Sequence, residues 1–126
     1  MSTALLLIAH GSRQAEANAD LHHVADALRN RGHDIVVASF LELAQPDIEN
    51  GGVRCVEEGA NVVVMVPYFL SAGMHVRHDL TDARDKLQAR FPDVEFRLAE
   101  PLGQHSLLIE ILLERVRQAL MKPGGV

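Results

Sequence analysis

Apolar residues are distributed along the chain in two alternating rhythms. Residues 3–9 (TALLLIA), 34–40 (DIVVASF) and 61–67 (NVVVMVP) are short, nearly continuous apolar runs, and 94–100 (VEFRLAE) alternates. Runs of this length read as strands, with the continuous ones buried on both faces and the alternating one nearer an edge. The most hydrophobic, 61–67, is expected at the centre of the sheet. Between the runs the period lengthens to that of a helix. Leu21, Val24, Ala25 and Leu28 form one stripe, with Ser12 as the expected N-cap and Gly32 as the stop. A second helix is expected with Pro46 in its first turn, running to about Glu58 and ended by Gly59. It contains Gly51-Gly52, each costing about 1 kcal/mol relative to Ala, so it should be the weakest helix, broken near Asn50. Val76, Leu80, Ala83 and Leu87 predict a third helix over 74–90, terminated before Pro92, and SLLIEILLERVRQALM (106–121) predicts a fourth.

Four strand–helix units with short connections imply a parallel sheet with helices on both faces, because parallel crossovers need a helix and are right-handed. The expected architecture is a flavodoxin-like (chelatase-like) α/β fold: four parallel strands in the order 2-1-3-4. Residues 1–122 would form the single domain and 123–126 a flexible tail. In that order the first and third strands lie side by side where the winding reverses.

Composition narrows the function classes. Apolar residues make up 48% of the chain and charged residues 23%, the balance of an ordinary globular domain. With 4% aromatics, no Trp and a net charge of −5, neither base-stacking platforms nor a basic stripe for a phosphate backbone is in evidence, so no nucleic-acid partner is expected. Cys55 is the single cysteine, which fits a reducing compartment. The apolar run at the N-terminus lacks a basic leader and is too short for a signal peptide. The longest apolar stretch is interrupted by Pro67. A cytoplasmic location and no membrane partner are therefore expected.

Ligands of such sheets bind beyond the carboxyl ends of the strands, at the switch point. Those ends carry His10, then Glu42, then PYFLSAGMHVRHD with Tyr68, Met74, His75, Arg77, His78 and Asp79, and finally Glu100. His10 and His75 thus follow the two strands that flank the switch point. Plainer readings exist: His10 as a turn imidazole, His75 as an exposed first-turn residue, Glu42, Glu100 and the arginines as solvated charge. Asp79 is either a helix N-terminal acid or an acceptor that orients His75. His22, His23 and His33 fall mid-helix or at the far edge, and His105 opens the last helix without a motif. A phosphate-cradling loop would want more glycine than HGSRQAEAN offers. A receiver domain would need acids where His10 and Pro67 stand, and Cys55 lies in a helix away from the edge.

The ordered trio AHGSR, ASFLELAQPDI and PYFLSAGMHVRHDL resembles the class II tetrapyrrole chelatases, in their small single-domain sirohydrochlorin cobaltochelatase form, over nearly the whole chain. The resemblance implies a lyase-class enzyme inserting a divalent metal into sirohydrochlorin, with Co²⁺ first and Ni²⁺ or Fe²⁺ as alternatives. It implies His10 and His75 as catalytic metal contacts, Glu42 as a further catalytic group, and a homodimer. Glu42 and His78 are additional metal-ligand candidates. No cofactor beyond the substrate metal is implied. The chemistry suits the residues: imidazole is a borderline ligand that can release a first-row ion, and with a reference pKa of about 6.5 it can take up displaced pyrrole protons. Arg13 and Arg77 are candidates for the macrocycle's peripheral carboxylates, and Tyr68 and Met74 for its flat face. Gly51-Gly52 and His78 depart from the family pattern. A non-enzymatic metal or tetrapyrrole carrier using the same histidines is the alternative reading.

Overall fold

The structure, a computed structural model, describes residues 2–122. The expected tail at 123–126 lies outside the described residues. Strands β1 (Thr3–Ala9), β2 (Ile35–Phe40), β3 (Val62–Pro67) and β4 (Glu95–Leu98) alternate with helices α1 (Ala15–Asn30), α2 (Ile48–Glu57), α3 (Met74–Arg90) and α4 (Ser106–Met121). All strands are parallel and ordered β2-β1-β3-β4, as the pattern predicts. Leu6 lies between Val37 and Met65, which makes β1 and β3 the two inner strands. The outer strands are shorter than expected. β4 pairs with β3 only from Glu95 to Leu98, so Val94, Ala99 and Glu100 lie outside it.

Alternation along β1 divides the core. Ala4, Leu6 and Ile8 point to one face, where Ile48 and Cys55 of α2 and Leu80 and Leu87 of α3 cover them. Leu7 points to the other, against Leu21 and Ala25 of α1. Helix α2 is unbroken through Asn50, contrary to the expectation from helix propensity. Gly51 and Gly52 are buried where α2 presses on its neighbours. A Cβ at Gly51 would come within 2.8 Å of Leu6 Cδ1, and one at Gly52 within 2.6 Å of Leu87 Cδ1. The glycines lower helix propensity but permit a close approach to the sheet and to α3, and packing outweighs propensity. Cys55, one turn further on, is buried, and desolvation pushes its thiol up to about 12, leaving it a packing residue.

Two helix starts also differ from expectation. Ser12 does not cap α1. Its hydroxyl accepts from Gln14 N (3.0 Å), and Asn18 brackets its backbone with bonds of 2.9 and 2.7 Å, so the helix begins at Ala15. Pro46 precedes α2 rather than entering it. Asp47 is the N-cap, its carboxylate accepting from Asn50 N at 2.8 Å. The stops agree with the sequence: Gly32 (φ +99°) and Gly59 (φ +100°) follow α1 and α2 in the backbone region glycine favours.

Helix α4 departs most from the expected packing. None of its residues is buried, and Leu107, Ile109, Leu112, Leu113, Val116 and Leu120 stand exposed. The side of β3 that faces α1's layer is incompletely covered, with Val62, Val64 and Val66 half-buried. Among the described residues no helix is long and apolar enough to cross a membrane.

Candidate active site

The site is assembled by hydrogen bonds that continue the sheet ladder past its strands. Leu41 N donates to Ala9 O and Glu42 N to His10 O, both at 3.0 Å, so the β1–β2 pairing persists for two residues beyond Phe40. Tyr68 N donates to Ile8 O on the other side of β1. His10 therefore lies between the segments that leave β2 and β3, at the winding reversal. Gly11 makes this crossing possible: at φ +94°, a Cβ would lie 1.8 Å from the carbonyl oxygen of Glu42. Leu43 then adopts φ +64°, an uncommon conformation for a bulky side chain, as the chain turns toward α2.

His10 borders two hollows. The larger, about 430 Å³, is enclosed by Leu41 and Glu42, by the start of α2, and by Val76, Asp79, Asp82, Ala83 and Lys86 of α3. A volume of this size lies in the range of ligand pockets. The smaller, about 250 Å³, lies on the α1 side between Ser12, Asn18, Asp20 and Tyr68. Glu42, Asp47, Glu49, Asp79 and Asp82 face the larger hollow with one lysine, so its field favours cations. Asp47 is engaged in capping and Glu49 pairs with Arg90 at 3.2 Å. Among the carboxylates of this hollow, Glu42 and Asp79 are the two that make no side-chain hydrogen bond or ion pair among the described residues.

The other expected residues divide. His75 occupies the first turn of α3 on the same edge, exposed, but it does not line either hollow beside His10. Asp79, weighed as an acceptor for His75, instead joins the His10 hollow. Tyr68 borders the smaller hollow, and Met74 is 86% exposed beside it in sequence to His75. Arg77 is engaged: its Nε donates to Ala72 O (3.2 Å) and its guanidinium lies 3.6 Å from Glu100. His78 lies 3.6 Å from Asp82, one helical turn on. Arg13 is exposed in the segment leading to α1. His105 caps α4, its Nδ1 accepting from Leu107 N at 3.1 Å. Among the described residues, no three or more His, Cys, Asp or Glu side chains are gathered as a metal cage.

Sequence reasoning missed Asp82, Lys86 and Phe69. The first two repeat with Asp79 at helical spacing, a signal that reads equally well as a solvated face. The Phe69 ring stacks beside His10 with centroids 4.6 Å apart, a contact no local pattern encodes.

Comparison with known proteins places the whole chain in a wider group. A sirohydrochlorin cobaltochelatase of Sulfolobus acidocaldarius is 32% identical over 120 residues, covering 95% of this chain and 94% of that one. A sirohydrochlorin ferrochelatase of Priestia megaterium is 35% identical over 116 residues, 91% of this chain but 44% of its own length. The cobalt-complexed sirohydrochlorin chelatase SirB of Bacillus subtilis subspecies spizizenii superposes with a TM-score of 0.85 at 27% identity, covering 94% of this chain and 51% of that one. The chain thus spans about half the length of the ferrochelatase relatives and of the cobalt-bound structure. The family described as CbiX matches residues 4–119, from the first residues of β1 to the last turn of α4. With the sheet order and nearly the whole length accounted for, the chain belongs to the CbiX family.

Proposed function

We propose that this chain is a chelatase that inserts a divalent metal, Co²⁺ first and Ni²⁺ or Fe²⁺ as alternatives, into sirohydrochlorin. The observation that carries the reading is His10, held at the switch point against Glu42 and opening onto a carboxylate-lined hollow. Insertion exchanges two pyrrole N–H protons for one M²⁺. The reaction therefore needs a donor that gives up the ion and bases that accept the protons. The imidazole of His10, with that of His75 on the same edge, supplies exchangeable nitrogen donors. Glu42 accepts a pyrrole proton, and Asp79 can receive the second or pass it to solvent. His78, paired with Asp82, is an accessory ligand at the entrance. Arg13 and Arg77 meet peripheral carboxylates of the macrocycle, which would take the place of Glu100 at Arg77. Tyr68 and Met74 pack on its face. The similarity over nearly full length to a cobaltochelatase of the same size supports this reading.

The test is the absorbance of sirohydrochlorin with limiting protein and Co²⁺, Ni²⁺ or Fe²⁺ in turn, against the uncatalysed rate. Many metallated rings per protein are expected; one ring or one ion bound per chain, without turnover, would identify a carrier instead.

The reading includes a homodimer. Soluble monomers rarely leave a large contiguous apolar patch exposed, and here an uncovered α4 accompanies an incompletely covered β3 on the same chain. A second copy supplies the complement to each, and closed two-fold pairing makes the contact self-complementary. Relatives about twice as long have room for a second unit of this size in one chain. Light scattering at micromolar concentration should give twice the 13.8 kDa chain mass. The paired substitutions Ile109→Glu and Leu113→Glu, one turn apart on α4, should reduce it to a single chain. A wild-type monomer with full turnover would overturn the dimer.

A further inference from the structure

We propose that Phe69 is a positioning residue for His10, its ring serving as the surface that sets the orientation of the imidazole. The two rings lie 4.6 Å apart between centroids, inclined by 30°. A metal-ligating histidine is usually aimed by a hydrogen bond from its second ring nitrogen to a carboxylate or carbonyl. Among the described residues, no such bond to His10 forms, and the aromatic contact stands in its place.

Both partners are fixed through their backbones. Glu42 N holds the carbonyl of His10, and Tyr68 N, the residue before Phe69, is bound to Ile8 O. Leu102 N donates to Phe69 O at 3.1 Å. Gly103 lies against the next carbonyl so closely that an added Cβ would be 2.2 Å from Leu70 O. The inner edge of Phe69 packs on the core shared by α2 and α3. The loop after β4 thus clamps the loop after β3, and that loop presents a ring to the histidine after β1. An aromatic contact of ordinary strength changes the population of the held orientation severalfold, up to about tenfold.

This inference rests on the reading of His10 as a metal-binding donor, and the test separates the two. Phe69→Leu keeps an apolar side chain for the core while removing the aromatic face; Phe69→Tyr keeps the face. In nuclear magnetic resonance spectra of histidine-labelled protein, the His10 ring protons should be displaced by the Phe69 ring current. That displacement should vanish in the Leu variant and persist in the Tyr variant. Metal insertion by the Leu variant should fall severalfold, up to about tenfold, in kcat with KM for sirohydrochlorin unchanged, and the Tyr variant should recover it. A Leu variant with wild-type kcat, or a Tyr variant that keeps the displacement yet stays slow, overturns the proposal. If the wild-type protein inserts no metal, the chelatase reading fails, and titration with Co²⁺ alone decides the role of Phe69. Weaker binding in the Leu variant, restored by Tyr, upholds it; equal affinity in all three proteins overturns it.

Discussion

His10→Ala is expected to lower the initial rate of Co²⁺ insertion into sirohydrochlorin by about 10²-fold or more, since losing even a partner that only orients a metal ligand costs about 10–100-fold and His10 is read as the ligand itself. The fold should survive. His10 is exposed at the end of β1, its carbonyl bond to Glu42 N is a backbone bond, and the core stripes do not use its ring. Removal of the ring forfeits its contact with Phe69, about 0.5–1.5 kcal/mol, a fraction of the stability of an ordinary domain. His75→Ala should act in the same direction, because it removes a second exposed imidazole of this edge; His23→Ala, on the exposed side of α1, should change neither rate nor melt. Initial rates of purified variants, corrected for uncatalysed insertion and set beside thermal melts, are the measurement. Near wild-type turnover in His10→Ala would reduce that histidine to a turn residue. Loss in His10→Ala but not in His75→Ala would confine the metal chemistry to the hollow that His10 shares with Glu42.

Gly11→Ala should produce the largest structural effect of any single methyl group near the site. Two costs coincide there. The backbone sits at φ +94°, where an L side chain is strained by about 1–3 kcal/mol. The new Cβ would also meet a backbone carbonyl, Glu42 O, at 1.8 Å, and a carbonyl on a residue whose own amide is bonded to His10 O cannot swing away as a flexible side chain can. Overpacking adds about 1–3 kcal/mol more. Gly32→Ala is the matched control, since Gly32 has φ +99° with nothing within 4 Å of an added Cβ. Denaturant unfolding should place Gly11→Ala below Gly32→Ala by at least about 1 kcal/mol. Insertion should fail only in the former, as Glu42 is driven from His10. Equal destabilisation by the two would mean that the β1 and β2 segments separate without cost, and that their close crossing does not build the site.

The legible parts of this protein were those encoded by local pattern. A buried strand followed by His10, a parallel order that places β1 between β2 and β3, and a glutamate two residues beyond β2 suffice to bring His10 and Glu42 together. The same reasoning put His75 on the correct edge but could not state which hollow it would face, because helix rotation depends on packing against neighbours. Gly51-Gly52 misled for the opposite reason: propensity registers the cost of glycine in a helix, whereas the gain comes from Leu6 and Leu87, distant in sequence. Ser12 looked like a cap because residue type favours it, yet Asn18 reaches back to fix its backbone and shifts the start to Ala15. The apolar spacing of α4 correctly predicted a helix and wrongly implied its burial in this chain, since periodicity specifies a face and not the surface that covers it. The stack of Phe69 on His10 joins residues from two different strand ends and has no signature in either segment.

The continuation of the ladder beyond β1 and β2 also bears on how the crevice moves. Glu42 and Tyr68 are attached to β1 by the same kind of bond that holds the inner sheet together. Their amide protons can therefore exchange with solvent only by fluctuations that detach these segments from β1, the inner strand flanked by β2 and β3. On the chelatase reading, a flat macrocycle would meet walls already in register with the inner strands, and its arrival would have little backbone left to order. Freedom at this edge is confined to side chains such as His75 and Met74, which turn on the nanosecond scale while the frame beneath them keeps its place.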